Sequence, residues 1–269
     1  MRLRSLRTAL LLLTGLAGTA AAAANPYGLN AAWTECWGDG GTSNRSFACN
    51  TNTGFDRLNL SFVVDQPIPN VSGMEMYLQL ASESPTLPLW WSMKNAGTCR
   101  PTSLALLINT PLLYNNCVDW GAGTLGAAGI GNYVIGAAGP NTVTTAAASA
   151  VPQGSGLVLA PGVEYFVGTY QINHQKTVGT GACSGCQVAV CILFSHLRIY
   201  VDGGSTFYRA LTTPANTPNS QVATWQAGQI VSLQHDCFSN GLCTNSFGCV
   251  TPPVSARNNT WGAVKSLYR

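Results

Sequence analysis

The densest set of reactive side chains is Cys183-x2-Cys186-x4-Cys191-x4-His196. Thiolates and an imidazole at such spacing suggest a zinc knuckle, although the third and fourth ligand types are exchanged here. Strand parity counts against it. Residues 190–201 read as a strand, and side chains five apart on a strand leave opposite faces, so Cys191 and His196 should not reach one tetrahedral ion. The loop Gly181-Ala182-Cys183-Ser184-Gly185 has the G-x-C-x-G form of a nucleophile elbow. An elbow needs a helix after it. A strand follows instead, and only His174, His196 and His235 could supply a triad base. We therefore expect a cystine at Cys183, no catalytic residue and no metal ligand.

Glycosidic hydrolysis needs two carboxyl groups about 5–10 Å apart. The chain has ten acidic residues, Glu35, Asp39, Asp56, Asp65, Glu75, Glu83, Asp119, Glu164, Asp202 and Asp236. Most fall at turns or strand ends, where solvation or turn capping accounts for them. Glu75 is the exception, on a wet strand face with Tyr77 but with no acidic partner in sequence. The loop Asp39-Gly40-Gly41-Thr42-Ser43-Asn44 offers oxygens to a structural calcium ion but lacks the later Glu of an EF-hand. Otherwise no cofactor is expected.

Seven tryptophans remain, Trp33, Trp37, Trp90, Trp91, Trp120, Trp225 and Trp261. Indoles on Gly- and Asn-rich loops stack on sugars or peptides. Trp90, Trp91, Trp37 and Trp120 are the candidate ligand-binding set, with Leu87-Pro88-Leu89-Trp90-Trp91-Ser92 presenting the pair. In an extended segment adjacent side chains diverge, so one ring of that pair should be buried. The competing reading is that most tryptophans cover disulfides or cap a core.

The elements that must position these groups follow from the chain's ends and periodicity. Arg2, Arg4 and Arg7, an apolar run from Ala9 to Leu16 and the small residues Ala22-Ala23-Ala24 match a secretion signal. Residues 1–24 are expected to be removed, leaving 25–269 as one domain, secreted or at the cell surface. In that oxidising compartment Cys36, Cys49, Cys99, Cys117, Cys183, Cys186, Cys191, Cys237, Cys243 and Cys249 read as disulfides. Close spacing favours Cys36–Cys49 and Cys99–Cys117, and pairs Cys191 with Cys183 or Cys186. Whichever of Cys183 and Cys186 is left over would form the last two bridges with Cys237, Cys243 and Cys249.

Three of the 13 basic residues lie in the signal, so the mature chain carries ten of each sign. No basic field remains to attract nucleic acid or anionic lipid. Beyond the signal no apolar run is long enough to span a membrane.

Periodicity favours strands nearly everywhere. Leu58, Leu60, Phe62 and Val64 alternate with polar residues, as do Met74, Met76, Leu78 and Leu80. Further strands are expected at 103–109, 132–136, 142–151, 164–173, 190–201, 206–212 and 223–226. The 142–151 stretch is Ala-rich, but its Thr and Val content and flanking turns favour a strand over a helix. About nine strands predict an all-β, disulfide-stapled, jelly-roll-like β-sandwich, with Thr260 capping a short C-terminal helix that carries Trp261.

Several blocks are similar to a family of secreted, disulfide-rich bacterial proteins of uncharacterised activity. They are Trp33-Thr34-Glu35-Cys36, Phe47 to Gly54, Leu87 to Trp91, Cys99-Arg100, Lys176 to Cys186, Cys191-Ile192-Leu193 and Thr260 to Arg269. The resemblance spans nearly the whole mature chain, with Cys243 and Cys249 outside its pattern. It implies bacterial export and a shared disulfide core, and carries no activity. A non-enzymatic extracellular module, structural, adhesive or interacting with a glycan or another protein, is the leading expectation. A carbohydrate-binding module using loop tryptophans is the alternative, and a secreted glycoside hydrolase a more distant one.

Overall fold

A computed structural model describes residues 27–108, 117–121, 123–124, 126–152, 154–155, 157–202, 207–211, 220–232 and 248–250; the side chains of 207–211, 231–232 and 248 are excepted. The expected signal, the C-terminal helix with Trp261, and Cys237 and Cys243 lie outside these residues.

Two mostly antiparallel sheets, each with one short parallel strand, face each other across one hydrophobic core. The first contains β1 (Gly28–Trp33), β3 (Phe55–Val63), β10 (Glu164–Asn173) and β5 (Leu104–Leu107) in the order β1-β3-β10-β5, with β6 (Cys117–Asp119) parallel to β10. The second contains β2 (Asn44–Arg45), β13 (Val222–Trp225), β11 (Val190–Val201), β4 (Ile68–Ser82), β8 (Thr142–Ala150) and β7 (Ala127–Ile135) in the order β2-β13-β11-β4-β8-β7. β12 (Phe207–Leu211) adds to β11, and β9 (Leu157–Leu159) to β4. β14 (Gln229–Ser232) and β15 (Gly248–Val250) pair as a separate hairpin. All nine expected strands are present, the Ala-rich β8 among them, and six more join them.

Period-two alternation builds the core. Leu58, Leu60 and Phe62 from β3 meet Met74, Met76 and Leu78 from β4 and Ile192, Phe194, Leu197 and Ile199 from β11, all buried. The step from Phe194 to Leu197 breaks the alternation because β11 bulges against β4 between Phe194 and His196. One extra residue reverses side-chain parity beyond it. Cys191 and His196 therefore share the outer face of their sheet, contrary to the expectation of opposite faces.

Four disulfides tie this frame together: Cys36–Cys117, Cys49–Cys186, Cys99–Cys183 and Cys191–Cys249, with Cα separations of 5.5–6.1 Å. These correct the expected pairings Cys36–Cys49 and Cys99–Cys117, and the pairing of Cys191 with Cys183 or Cys186. Short spacing along the chain loses to strand topology. Cys36 follows β1, and β6 brings Cys117 beside it on the same sheet, whereas Cys49 is carried to the Cys183–Cys186 loop. Gly185 in that loop sits at φ +97°, and a Cβ there would collide with Pro88, so the loop requires glycine.

Candidate functional site

Of the six described tryptophans, Trp33, Trp90, Trp91, Trp120 and Trp225 are buried rather than set at a binding face. Trp90 and Trp91 are both 0% exposed, because Pro88 starts a short 3-10 turn over Leu89–Trp91 instead of an extended segment. Leu89 takes the outward position at 54% exposure. Trp90 stacks on Trp225 at 5.1 Å and meets Trp91 edge-on at 5.2 Å, while Trp33 and Phe47 close the same cluster around Trp225. Trp120 is also buried, and of the four expected ligand-binding indoles just Trp37 is partly exposed. The expectation of a presented Trp90–Trp91 pair is overturned. Trp91 instead helps line a cavity of about 30 Å³ between the sheets, with Leu58, Leu78, Tyr133 and Tyr170. That is room for water, not for an organic ligand.

Cys183, Cys186 and Cys191 each bond a different distant cysteine, so their sulfurs are not free to ligate or attack.

One open constellation lies on the outer face of the larger sheet. Glu75 and Tyr77 alternate with core residues on β4, and the β11 bulge places His196 and Arg198 beside them. The carboxylate of Glu75 accepts hydrogen bonds from the hydroxyls of Tyr77 and Tyr200, each at 2.9 Å. Arg198 Nη1 lies 3.5 Å from the same oxygen and donates to the Tyr77 hydroxyl at 3.2 Å. Burial, then the Glu75 hydrogen bond, push the Tyr77 phenol up to about 12, and the same causes raise Tyr200. His196 meets the Tyr77 ring edge-on at 5.6 Å; it is buried, and neither ring nitrogen has a partner. Burial, then the Arg198 charge, hold its pKa below the ordinary histidine value. Two half-exposed phenols, a carboxylate and a guanidinium here form a polar, aromatic contact surface.

A second polar cluster is closed. The outer face of the smaller sheet carries Asn30, Asn59, Ser61, Glu164 and Thr169, all buried. Its roof is the segment Cys36–Gly41, joined by the Cys36–Cys117 bridge to β6. A Cβ at Gly41 would strike Ala32 and two carbonyl oxygens, which shows how tightly the roof is seated. Glu164 accepts from Ser61 Oγ and, at 2.8 Å, from the Gly38 N–H. Asp39 accepts from the Cys117 N–H at 3.1 Å. Burial is the main reason the Glu164 carboxyl titrates above the ordinary glutamate range. Asn30 has no partner for either amide atom, and Asn59 none for Nδ2. Only Asp39 of the loop read as a calcium site reaches this cluster. Thr42 donates to the Asn44 carbonyl, and Asn44 Oδ1 takes the Ala227 N–H.

A third cluster is structural. Asp56 joins Arg45 to His174 Nε2, the latter at 2.8 Å, and Phe47 stacks on the His174 ring at 3.8 Å.

No protein-family model matches this chain, and neither a curated protein nor a solved structure does.

Proposed function

We propose that the chain is a secreted, non-enzymatic extracellular module with a structural, adhesive or interaction role. One observation carries the reading: the four disulfides among the described residues each tie segments 58 to 137 residues apart, cross-linking both sheets and the β14–β15 hairpin. Such bridges persist where thiols are oxidised. The signal-like residues 1–24 and the resemblance to secreted bacterial proteins support the same compartment. No described helix is long and apolar enough to cross a membrane.

The reactive groups favour contact over turnover. Glu75 is engaged by two phenols and a guanidinium, and Glu164 lies under its roof. The test compares cells that export the chain with cells lacking it for retention on a surface under flow. Retention should fall in the deletion strain and return on complementation. Equal retention overturns the adhesive role, and hydrolysis of a polysaccharide panel that Glu75→Gln abolishes overturns the non-enzymatic one.

A second reading, glycan binding, moves from the buried tryptophans to Tyr77, Tyr200, Glu75 and Arg198. Phenol faces stack on sugar C–H surfaces while a carboxylate and a guanidinium bind hydroxyls. A glycan array decides it: saturable binding lost on Tyr200→Ala supports this reading, and an empty array removes it.

A further inference from the structure

The chain turns back after β13 without pairing with it, and the gap left between the two strands is walled by Trp37. We propose that this groove binds one ring of a neutral saccharide. The proposal rests on the interaction role above and is separate from the Tyr77–Tyr200 face.

The groove begins at a turn. Gln226 and Ala227 sit at φ +56° and +58°, and the Gly228 N–H donates to the Trp225 carbonyl at 3.3 Å. Two left-handed residues closed by that bond form the turn that normally zips a tight β-hairpin, with Asn-Gly favoured at its centre. Glutamine and alanine are held there from outside the turn. Gln226 Nε2 donates to the Phe47 carbonyl at 2.6 Å, and the Ala227 N–H to Asn44 Oδ1 at 2.9 Å. The hairpin nevertheless does not zip: β14 pairs with β15, while β13 pairs with β11 and β2. The Cys191–Cys249 bridge ties β15 to β11, and Gly228 is pressed onto it; a Cβ there would come within 2.8 Å of Cys249 Sγ. β14 is thereby drawn over the outer face of the larger sheet, where Ile230 packs with Leu193 and Val222.

Between β14, β13 and the short 3-10 turn Trp37–Asp39 lies an open groove of about 390 Å³. Small-ligand sites span about 300–1,000 Å³. Its lining includes Trp37, Ser43, Val222, Thr224, Gln229 and Ile230. Of the described tryptophans Trp37 alone keeps part of its surface in solvent, and its turn is braced by the Cys36–Cys117 bridge and by the Gly38 N–H on Glu164. A fixed indole suits the apolar C–H side of a pyranose, and Val222 and Ile230 extend that apolar surface. The Ser43 hydroxyl and the Gln229 amide are exposed and have no hydrogen-bond partner among the described residues, so both are available to sugar hydroxyls.

Charge narrows the class. No charged side chain among the described residues lines the groove, so a uronate or sialate ring would bring a carboxylate there unpaired. An extended peptide would need a strand edge to pair with. β13 already has neighbours on both sides.

The test is calorimetric titration of the full secreted chain with cellohexaose, mannohexaose, xylohexaose and N-acetylated chitohexaose, with hexagalacturonate as the charged control. Saturable binding of at least one neutral oligomer is expected. Trp37→Ala should weaken it at least about tenfold and Gln229→Ala about fivefold, while Tyr200→Ala leaves it unchanged. No saturable binding of any neutral oligomer up to about 10 mM overturns the site. Binding that survives Trp37→Ala does so too, and its loss in Tyr200→Ala would assign the sugar to the sheet face instead. Gln229 is exposed, so unchanged affinity in Gln229→Ala decides against the site if Trp37→Ala does not fold. Hexagalacturonate binding as tightly as the neutral oligomers overturns the neutral class. Binding of an end-capped neutral decapeptide pool in place of the sugars overturns the saccharide. The surface-retention comparison is read independently, so failure of this groove and failure of the interaction role are distinguishable.

Discussion

The guanidinium of Arg100 lies 3.7 Å over the ring of Trp90 and donates to three backbone carbonyls, those of Trp90, Asn173 and Gln175. It is a buried cation satisfied by carbonyl dipoles and an indole face instead of a carboxylate. Burial brings its pKa down to about 10, which leaves it charged at neutral pH. The side chain thus joins the Leu89–Trp91 turn to the end of β10 and the segment after it.

Arg100→Lys should therefore be far from conservative. A lysine keeps the charge but cannot direct three donors in one plane. Stranding even one or two buried carbonyls costs about 2–4 kcal/mol, read as a lower urea midpoint at unchanged slope. Wild-type stability in the lysine variant would show that the fork geometry is unimportant.

The bridges give a second expectation. Non-reducing peptide mapping should recover Cys36 with Cys117, Cys49 with Cys186, Cys99 with Cys183 and Cys191 with Cys249. Replacing both cysteines of Cys49–Cys186, which closes the longest loop of the four, should cost about 2–5 kcal/mol. A peptide joining Cys36 to Cys49 would contradict the fold.

Long strands were legible because alternation has room to declare itself. Within β4, Met74 to Leu80 shows its wet and dry faces directly, and β10 and β11 appear at their expected limits. Strands of two or three residues, such as Asn44–Arg45 or Leu157–Leu159, are too short to carry a period. The candidate sites were less legible. The bulge between Phe194 and His196 is one unpaired residue without a sequence signal, yet it moved His196 to the face of Cys191 and Tyr77. Glu75 with Tyr77 was visible from parity, but the partners Arg198 and Tyr200 come from another strand. Nothing in the sequence marked Asn30, since its burial depends on a roof held by a bridge over 81 residues.

His196 predicts an acid-side loss of stability. Its pKa is lowered in the fold, so below the unfolded value of 6.5 the unfolded chain binds a proton that the folded chain resists. Unfolding is then favoured as pH falls: the contribution is fully present above about 6.5 and declines below it. The groups facing the ring are Tyr77, Glu75 and Arg198. His196→Phe should flatten the stability difference between pH 7.5 and 5.5, measured by urea unfolding. An identical pH slope in the variant would remove His196 as the cause.

The phenol pair on the same face gives the last expectation, and it separates burial from hydrogen bonding. Tyr77 is pushed up to about 12 first by burial and next by the Glu75 carboxylate, which accepts its hydrogen bond and disfavours the phenolate by charge. Glu75→Gln removes the charge but leaves a hydrogen-bond acceptor of similar size. Tyrosinate absorbance near pH 11, taken as the difference between each protein and its Tyr77→Phe counterpart, should then be larger in Glu75→Gln than in the parent chain. Tyr200, which shares the same carboxylate oxygen, should shift in the same direction. If the Tyr77 signal stays where it was, burial alone raises the phenol, and Glu75 is free to turn toward a ligand without loss to the sheet face.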